Sequence, residues 1–277
     1  MKNTYDKIGI FDSGLGGLTI LKEMVKLIPN REYLYLGDNL RAPYGDRSEE
    51  DIFRYTLAGV AWLFDNGAQL VILACNTASA NALRKIQQEF LPLKHKDRRV
   101  LGIIIPTMEE VSGFSASGHI GLLATRATVI SRVFEKEMKK NNLELQIACQ
   151  SGGRLVELIE GNENGNILSA EIENVVGQLT SKDGLIDAII LGCTHYVLIK
   201  DQIRKILPRN ISIIEQGDIV ARKLADYIDR HEEFRKKLSN QPAVSFHTTS
   251  NSDEVKKMMA KFYGMNISVS TVAYEVK

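Results

Sequence analysis

The strongest constraint on the fold is an internal echo. Residues 70–77 and 188–195 each run an apolar, strand-like stretch into a small residue, a cysteine and then hydrogen-bonding side chains. Cys75 is thus followed by Asn76 and Thr77, and Cys193 by Thr194 and His195. A second pair, residues 8–13 and 120–125, repeats nearly in step and ends in Asp12 and Ser13 in one copy and Thr125 in the other. Two echoes at similar offsets predict two related α/β halves. Short β-rich runs at 8–11, 33–36, 70–74, 100–105, 120–124, 188–192 and 211–214 alternate with helical patterns. That alternation builds βαβ units and mostly parallel sheets. The first half is expected to span residues 1–98 and to resume at 211–277. The second takes residues 99–210, with the basic stretch 94–99 as a solvated linker. The clearest helix is 48–66, with Ser48 as N-cap and Glu49, Glu50 and Asp51 where carboxylates favour the helix dipole. Ile52, Tyr55, Leu57, Val60, Leu63 and Phe64 mostly keep its period.

Composition removes several classes. A chain of 277 residues, 44% hydrophobic and 25% charged, can bury one large core or two modest ones. Its 35 Lys and Arg against 34 Asp and Glu leave a net charge of +1, too balanced for phosphate-backbone binding. Nucleic acid is therefore not an expected partner. No apolar run approaches a bilayer span, and the polar residues 1–6 lead straight into a strand, so neither membrane association nor a secretory signal is expected. The cysteines Cys75, Cys149 and Cys193 lie far apart, which suits neither a disulfide framework nor paired zinc ligands. No metal is expected, and a reducing cytoplasm fits best. Cys149, without comparable polar neighbours, reads as buried filler, and residues 230–237 as an exposed helix face.

In open α/β sheets, ligands sit beyond the carboxyl ends of the strands. The turns there carry Asp12, Ser13 and the glycines to Gly17; Pro43, Tyr44 and Gly45 shortly after Asp38; and the two cysteine segments. Each cysteine is expected between a strand end and the first turn of a helix, where free N–H groups and the dipole favour a thiolate. A modest fall from a free-thiol value of about 8.5 makes it a usable base. One buried cysteine at a strand end is ordinarily a small hydrophobe. A matched pair on facing halves meets a specific need: taking a proton from one face of a carbon and returning another to the opposite face requires two monoprotic acid–bases flanking that carbon. Asn76, Thr77, Thr194 and Ser13 are suited to donate to a carboxylate gaining enolate character. Asp12 and His195 are placed to orient or tune the nearer thiol. A dinucleotide site competes for the glycine turn, with Asp38 set for a ribose. Thr19 occupies its third glycine position, however, and Asp12 would face the pyrophosphate.

Four motifs in this order, at residues 11–17, 42–45, 74–79 and 192–196, resemble the glutamate racemases of the aspartate/glutamate racemase superfamily, with the likeness covering about residues 8–227. The resemblance implies two pseudosymmetric α/β domains with the active site in the cleft between them. It also implies glutamate racemisation without pyridoxal phosphate or another cofactor, D-glutamate for peptidoglycan, and a homodimer as the candidate assembly. Cys75 and Cys193 correspond to the proton donors and acceptors. Asp12, Ser13, Pro43, Tyr44, Gly45, Asn76, Thr77, Thr194 and His195 correspond to substrate-binding positions. Thr125 and Thr128 match two threonines after the second domain's first strand, and Glu157 matches an acid near the second thiol. The chain departs from the pattern at Gln150-Ser151, Val197 and Glu215-Gln216, where Pro-Leu, Pro and Asp-Ser are usual. Those departures motivate a non-catalytic amino-acid-binding regulator on this fold as an alternative. An aspartate or other amino-acid racemase of the superfamily is another.

Overall fold

The computed structural model describes residues 6–141, 143–161 and 165–276. Its strands are β1 (Lys7–Asp12), β2 (Glu32–Gly37), β3 (Ala68–Leu73), β4 (Arg99–Gly102), β5 (His119–Ala124), β6 (Gln146–Ser151), β7 (Ala188–Gly192), β8 (Ser212–Ile214), β9 (Ala243–Thr248) and β10 (Val269–Thr271). They form two sheets, ordered β10-β9-β2-β1-β3-β4 and β6-β5-β7-β8, and every pairing is parallel. The fold class is the expected one, two α/β units with parallel sheets.

Parallel strands need crossover connections, and the helices supplying them cover both faces of each sheet. In the larger sheet, Ile8, Ile10 and Ile72 pack on one face with Leu18, Leu21 and Val220. Phe11, Val71 and Leu73 pack on the other with Val60, Leu63 and Phe64. Burial on both faces is why β1 and β3 read as near-continuous apolar runs.

Helix α1 (Gly17–Leu27) follows β1, α2 (Glu49–Asp65) precedes β3, and α3 (Asn76–Lys85) follows it. Ser48 caps α2 as expected, its hydroxyl accepting the Asp51 N–H at 3.1 Å. Thr56 and Gly59 share the buried face with Ile52, Val60, Leu63 and Phe64, while Tyr55 and Leu57 are only half-buried.

Several expectations are corrected. The apolar run 100–105 is strand only to Gly102; the chain turns into the helix Ile104–Glu110, whose first turn tolerates Pro106 because the N–H it lacks would have no helical partner there. The stretch 94–99 is not a bare solvated linker: Arg98 is buried with its guanidinium 4.9 Å from the Phe64 ring centroid, and His95 packs between Phe64 and Phe90. Residues 230–237 bury Phe234 completely. Cys149 is half-buried on the edge strand β6, not core filler. Strands β6, β9 and β10 are additional to those read from the sequence. Among the described residues, no helix is long and apolar enough to cross a membrane.

The chain passes between the two units twice. On the outward pass Ile103 packs in a core of the larger sheet and Ile104 in one of the smaller. β4, which follows the expected boundary at residue 98, still belongs to the larger sheet, and β8, which follows the expected return at 211, pairs with β7. On the return, Ile219 packs with the smaller sheet and Val220 with the larger, within the helix Gln216–Arg230. The units meet closely at Gly16, where an added Cβ would lie 2.1 Å from Thr194 Oγ1 and 2.6 Å from His195 Nδ1. Gly16→Ala is therefore expected to cost about 1–3 kcal/mol of stability through overpacking. A urea midpoint equal to the wild type's would contradict this contact.

Candidate active site

The carboxyl ends of β1, β3, β5 and β7 open into one cleft between the units. Its wall includes Ser13, Pro43, Tyr44, Gly45, Asn76, Thr77, Thr125, Thr194 and both Cys75 and Cys193. The two cysteines, 118 positions apart in sequence numbering (75 and 193), are each only 6% exposed. Asp12 and Thr128 lie behind this wall rather than on it.

Cys75 stands at the N-cap of α3, as the sequence predicts, although its side chain makes no capping hydrogen bond there. Its sulfur contacts Ser13 Oγ at 3.2 Å. The expected fall in its pKa does not hold. Burial, reinforced by the nearby Asp12 carboxylate, pushes the thiol's pKa up to about 12, although the Ser13 hydroxyl and the backbone N–H of Ala78 oppose that rise. Desolvation outweighs the helix terminus because the whole side chain is removed from water. Asp12 is itself held above the ordinary carboxylate range by burial, with His195 and the Gly14 N–H pulling the other way. Its Oδ1 accepts that N–H at 2.8 Å, which shapes the glycine turn.

Cys193 has different support. It precedes a short 3-10 turn, Thr194–Ile199, rather than an α-helix. Its sulfur lies 3.9 Å from His195 Nδ1, and the other ring nitrogen is 2.8 Å from Glu160 Oε1. Burial resists a charge on His195, but the bonds to Cys193 and Glu160 prevail and raise it to about 10. The acid that touches this histidine is therefore Glu160. Glu157 also lines the cleft, but its carboxylate is exposed and faces Arg154 at 3.7 Å. Both acids occupy the helix Leu155–Glu160 at an i, i+3 spacing that puts them on one face, and this periodicity is the signal that could have found Glu160.

Hydroxyls join the units across the floor. Thr77 Oγ1 is 2.8 Å from Thr125 Oγ1, and Thr125 Oγ1 is 2.9 Å from Thr128 Oγ1. Asn76 Nδ2 donates to Gln216 Oε1 at 2.6 Å, and its Oδ1 has no partner among the described residues. The Tyr44 wall is braced by Asp38, which accepts from Tyr44 Oη at 2.6 Å, Arg41 at 2.7 Å and Thr249 at 2.8 Å. Asp38 is fully buried and so engaged, which removes the acid a dinucleotide ribose would need. Among the described residues, no group of three or more His, Cys, Asp or Glu could hold a metal ion.

Residues 8–224, a span that includes both cysteines of the cleft, match the family model described as Asp/Glu/Hydantoin racemase. The chain belongs to that family. Among racemases of the family, a glutamate racemase from Roseobacter denitrificans is 39% identical over 275 residues, covering 95% of this chain and 98% of that protein. The crystal structure of a glutamate racemase isoform from Bacillus anthracis superposes with a TM-score of 0.88 at 28% identity, covering 99% of this chain and 100% of that one. The Francisella tularensis glutamate racemase, solved in complex with D-glutamate, gives 0.85 at 29% identity and 98% coverage of both chains.

The histidine gives a signed pH dependence. Because folding raises His195 from an ordinary value near 6.5 to about 10, its charged contacts stabilise the fold fully below the former. That contribution drains away as pH climbs toward the latter. The stability difference between the wild type and His195→Asn, from denaturant unfolding, is expected to shrink steadily over that range. A difference independent of pH would contradict it.

Proposed function

We propose that this protein is a glutamate racemase in which Cys75 and Cys193 exchange protons with the α-carbon from opposite sides, supplying D-glutamate for peptidoglycan. The observation that carries the reading is the placement of two buried thiols, one at the end of β3 and one at the end of β7, on the wall of a single cleft. The family and the glutamate racemases it includes support the substrate.

In the resting enzyme Cys75 is a protonated thiol at neutral pH, because its pKa is pushed up to about 12. Cys193 is the partner cast as the base, and its sulfur lies 3.9 Å from Nδ1 of His195. With one enantiomer bound, the Cys193 thiolate takes the α-proton and the electron pair of the broken C–H bond moves into the carboxylate. The Cys75 thiol then gives its proton to the other face of the carbon. One thiol has gained a proton and the other has lost one, so the reverse reaction runs with the roles exchanged. The high Cys75 value has a catalytic use as well as a cost: its thiolate is scarce, but it is a stronger base toward a weak carbon acid.

The developing enediolate needs hydrogen bonds that form without reorganisation. The hydroxyls of Thr77 and Thr125 are held against each other at 2.8 Å, and with Thr194 these residues line the same wall beside the start of α3. Ser13 sits against the Cys75 sulfur and limits its rotation. Glu160 and His195 serve Cys193 in the way Ser13 and the helix terminus serve Cys75, so the two sides differ in chemistry while sharing geometry. Three unpaired cysteines support a reducing cytoplasm as the working compartment.

Circular dichroism following L- and D-glutamate without added cofactor tests the reading, with aspartate at equal concentration as the comparison. Interconversion of glutamate is expected, with Cys75→Ala and Cys193→Ala each lowering its rate by roughly 10²–10⁴-fold, the range for loss of a positioned acid–base. Turnover retained by both variants would sink the two-thiol mechanism.

A further inference from the structure

Both passes of the chain between the units meet at one side chain. Gln216 opens the returning helix Gln216–Arg230 and is 2% exposed. Its Nε2 donates to Thr107 Oγ1 at 2.9 Å and lies 3.5 Å from the Ile103 carbonyl, both on the outward pass. Its Oε1 accepts from Asn76 Nδ2 at 2.6 Å, on the cleft wall beside Cys75. Gln216 itself does not line the cleft.

The hydrogen-bonding capacities leave one orientation. Thr107 Oγ1 donates its only hydrogen to the Ile103 carbonyl at 2.7 Å, so toward Gln216 it can only accept. The carbonyl can only accept as well. Gln216 must therefore turn its NH2 toward the outward pass and its oxygen toward Asn76. Asn76 in turn must point its NH2 at Gln216, which leaves Oδ1 as its remaining polar atom, buried and without a partner among the described residues. A buried carbonyl oxygen without a donor is costly unless a ligand supplies one. Among the groups of glutamate at neutral pH, the ammonium is the only strong donor.

We propose that Gln216 is a positioning residue: it locks the Asn76 amide as an acceptor toward the substrate ammonium and ties that setting to both inter-unit passes. The inference rests on the racemase reading for the identity of the ligand. It gives a role to one departure from the family pattern, since the serine usual at this position lacks an amide to relay the orientation.

The test is a double-mutant cycle on the affinity for DL-glutamate, a mixture that undergoes no net reaction during a calorimetric titration. Gln216→Met keeps the volume and removes the relay; it is expected to weaken binding about tenfold, the scale of one buried hydrogen bond. Asn76→Ala is expected to weaken binding by at least as much, and the double variant to match Asn76→Ala alone. Wild-type affinity in Gln216→Met, or losses that multiply in the double variant, would overturn the proposal. Should Gln216→Met not fold, Thr107→Val removes the acceptor that orients Gln216; a loss that vanishes in the Asn76→Ala background supports the relay, and one that persists there overturns it. Racemisation by the wild type in the same preparation reports separately on the function: its absence would count against the racemase reading, while the cycle would still report on Gln216.

Discussion

Everything in the cleft depends on the packing of two parallel sheets with their carboxyl ends facing each other. Each sheet alone would leave its cysteine in a shallow surface turn, where water would level the acidity of the thiol. Brought together, the units bury both sulfurs, and contacts such as Gly16 against Thr194 and His195 leave no room for a side chain between them. The hydroxyl chain through Thr77, Thr125 and Thr128 and the relay through Gln216 are polar bonds across the same boundary. Buried polar bonds contribute little net stability but exact a large penalty when mismatched, so they specify how the units sit.

The two sides of the cleft solve one problem by different means. At Cys75 an α-helix terminus and Ser13 oppose a desolvation penalty that still wins, leaving a protonated thiol. At Cys193 the following turn is 3-10, and the sulfur is instead beside a histidine backed by Glu160. Architectural symmetry is thus paired with local asymmetry: a helix terminus and Ser13 attend one sulfur, His195 and Glu160 the other.

Much of this was legible in the sequence because strands buried on both faces appear as unbroken apolar runs. β1, β2, β5 and β7 fall where the pattern puts them, and the paired cysteines marked both strand ends of interest. β6 carries polar residues because it lies at a sheet edge, and β10 is three residues long, so neither stands out. Residues 103–105 extend an apolar run that periodicity alone cannot divide between strand and helix. The resemblance points to Glu157 alone; helical spacing gives Glu160 the same face, and only the tertiary position of His195 singles it out. The direction of the Cys75 shift was hidden for a related reason: a helix start can be read from sequence, whereas the extent of desolvation depends on what the other unit covers.

The central claim is that two separate thiols serve opposite faces of one carbon, and hydrogen tracing at the α-carbon in D₂O addresses it most directly. Starting from protiated L-glutamate at low conversion, the D-glutamate formed should carry solvent deuterium at the α-position while the remaining L-glutamate stays protiated. D-glutamate retaining the original hydrogen would mean that one base carries the proton across, and would contradict the account.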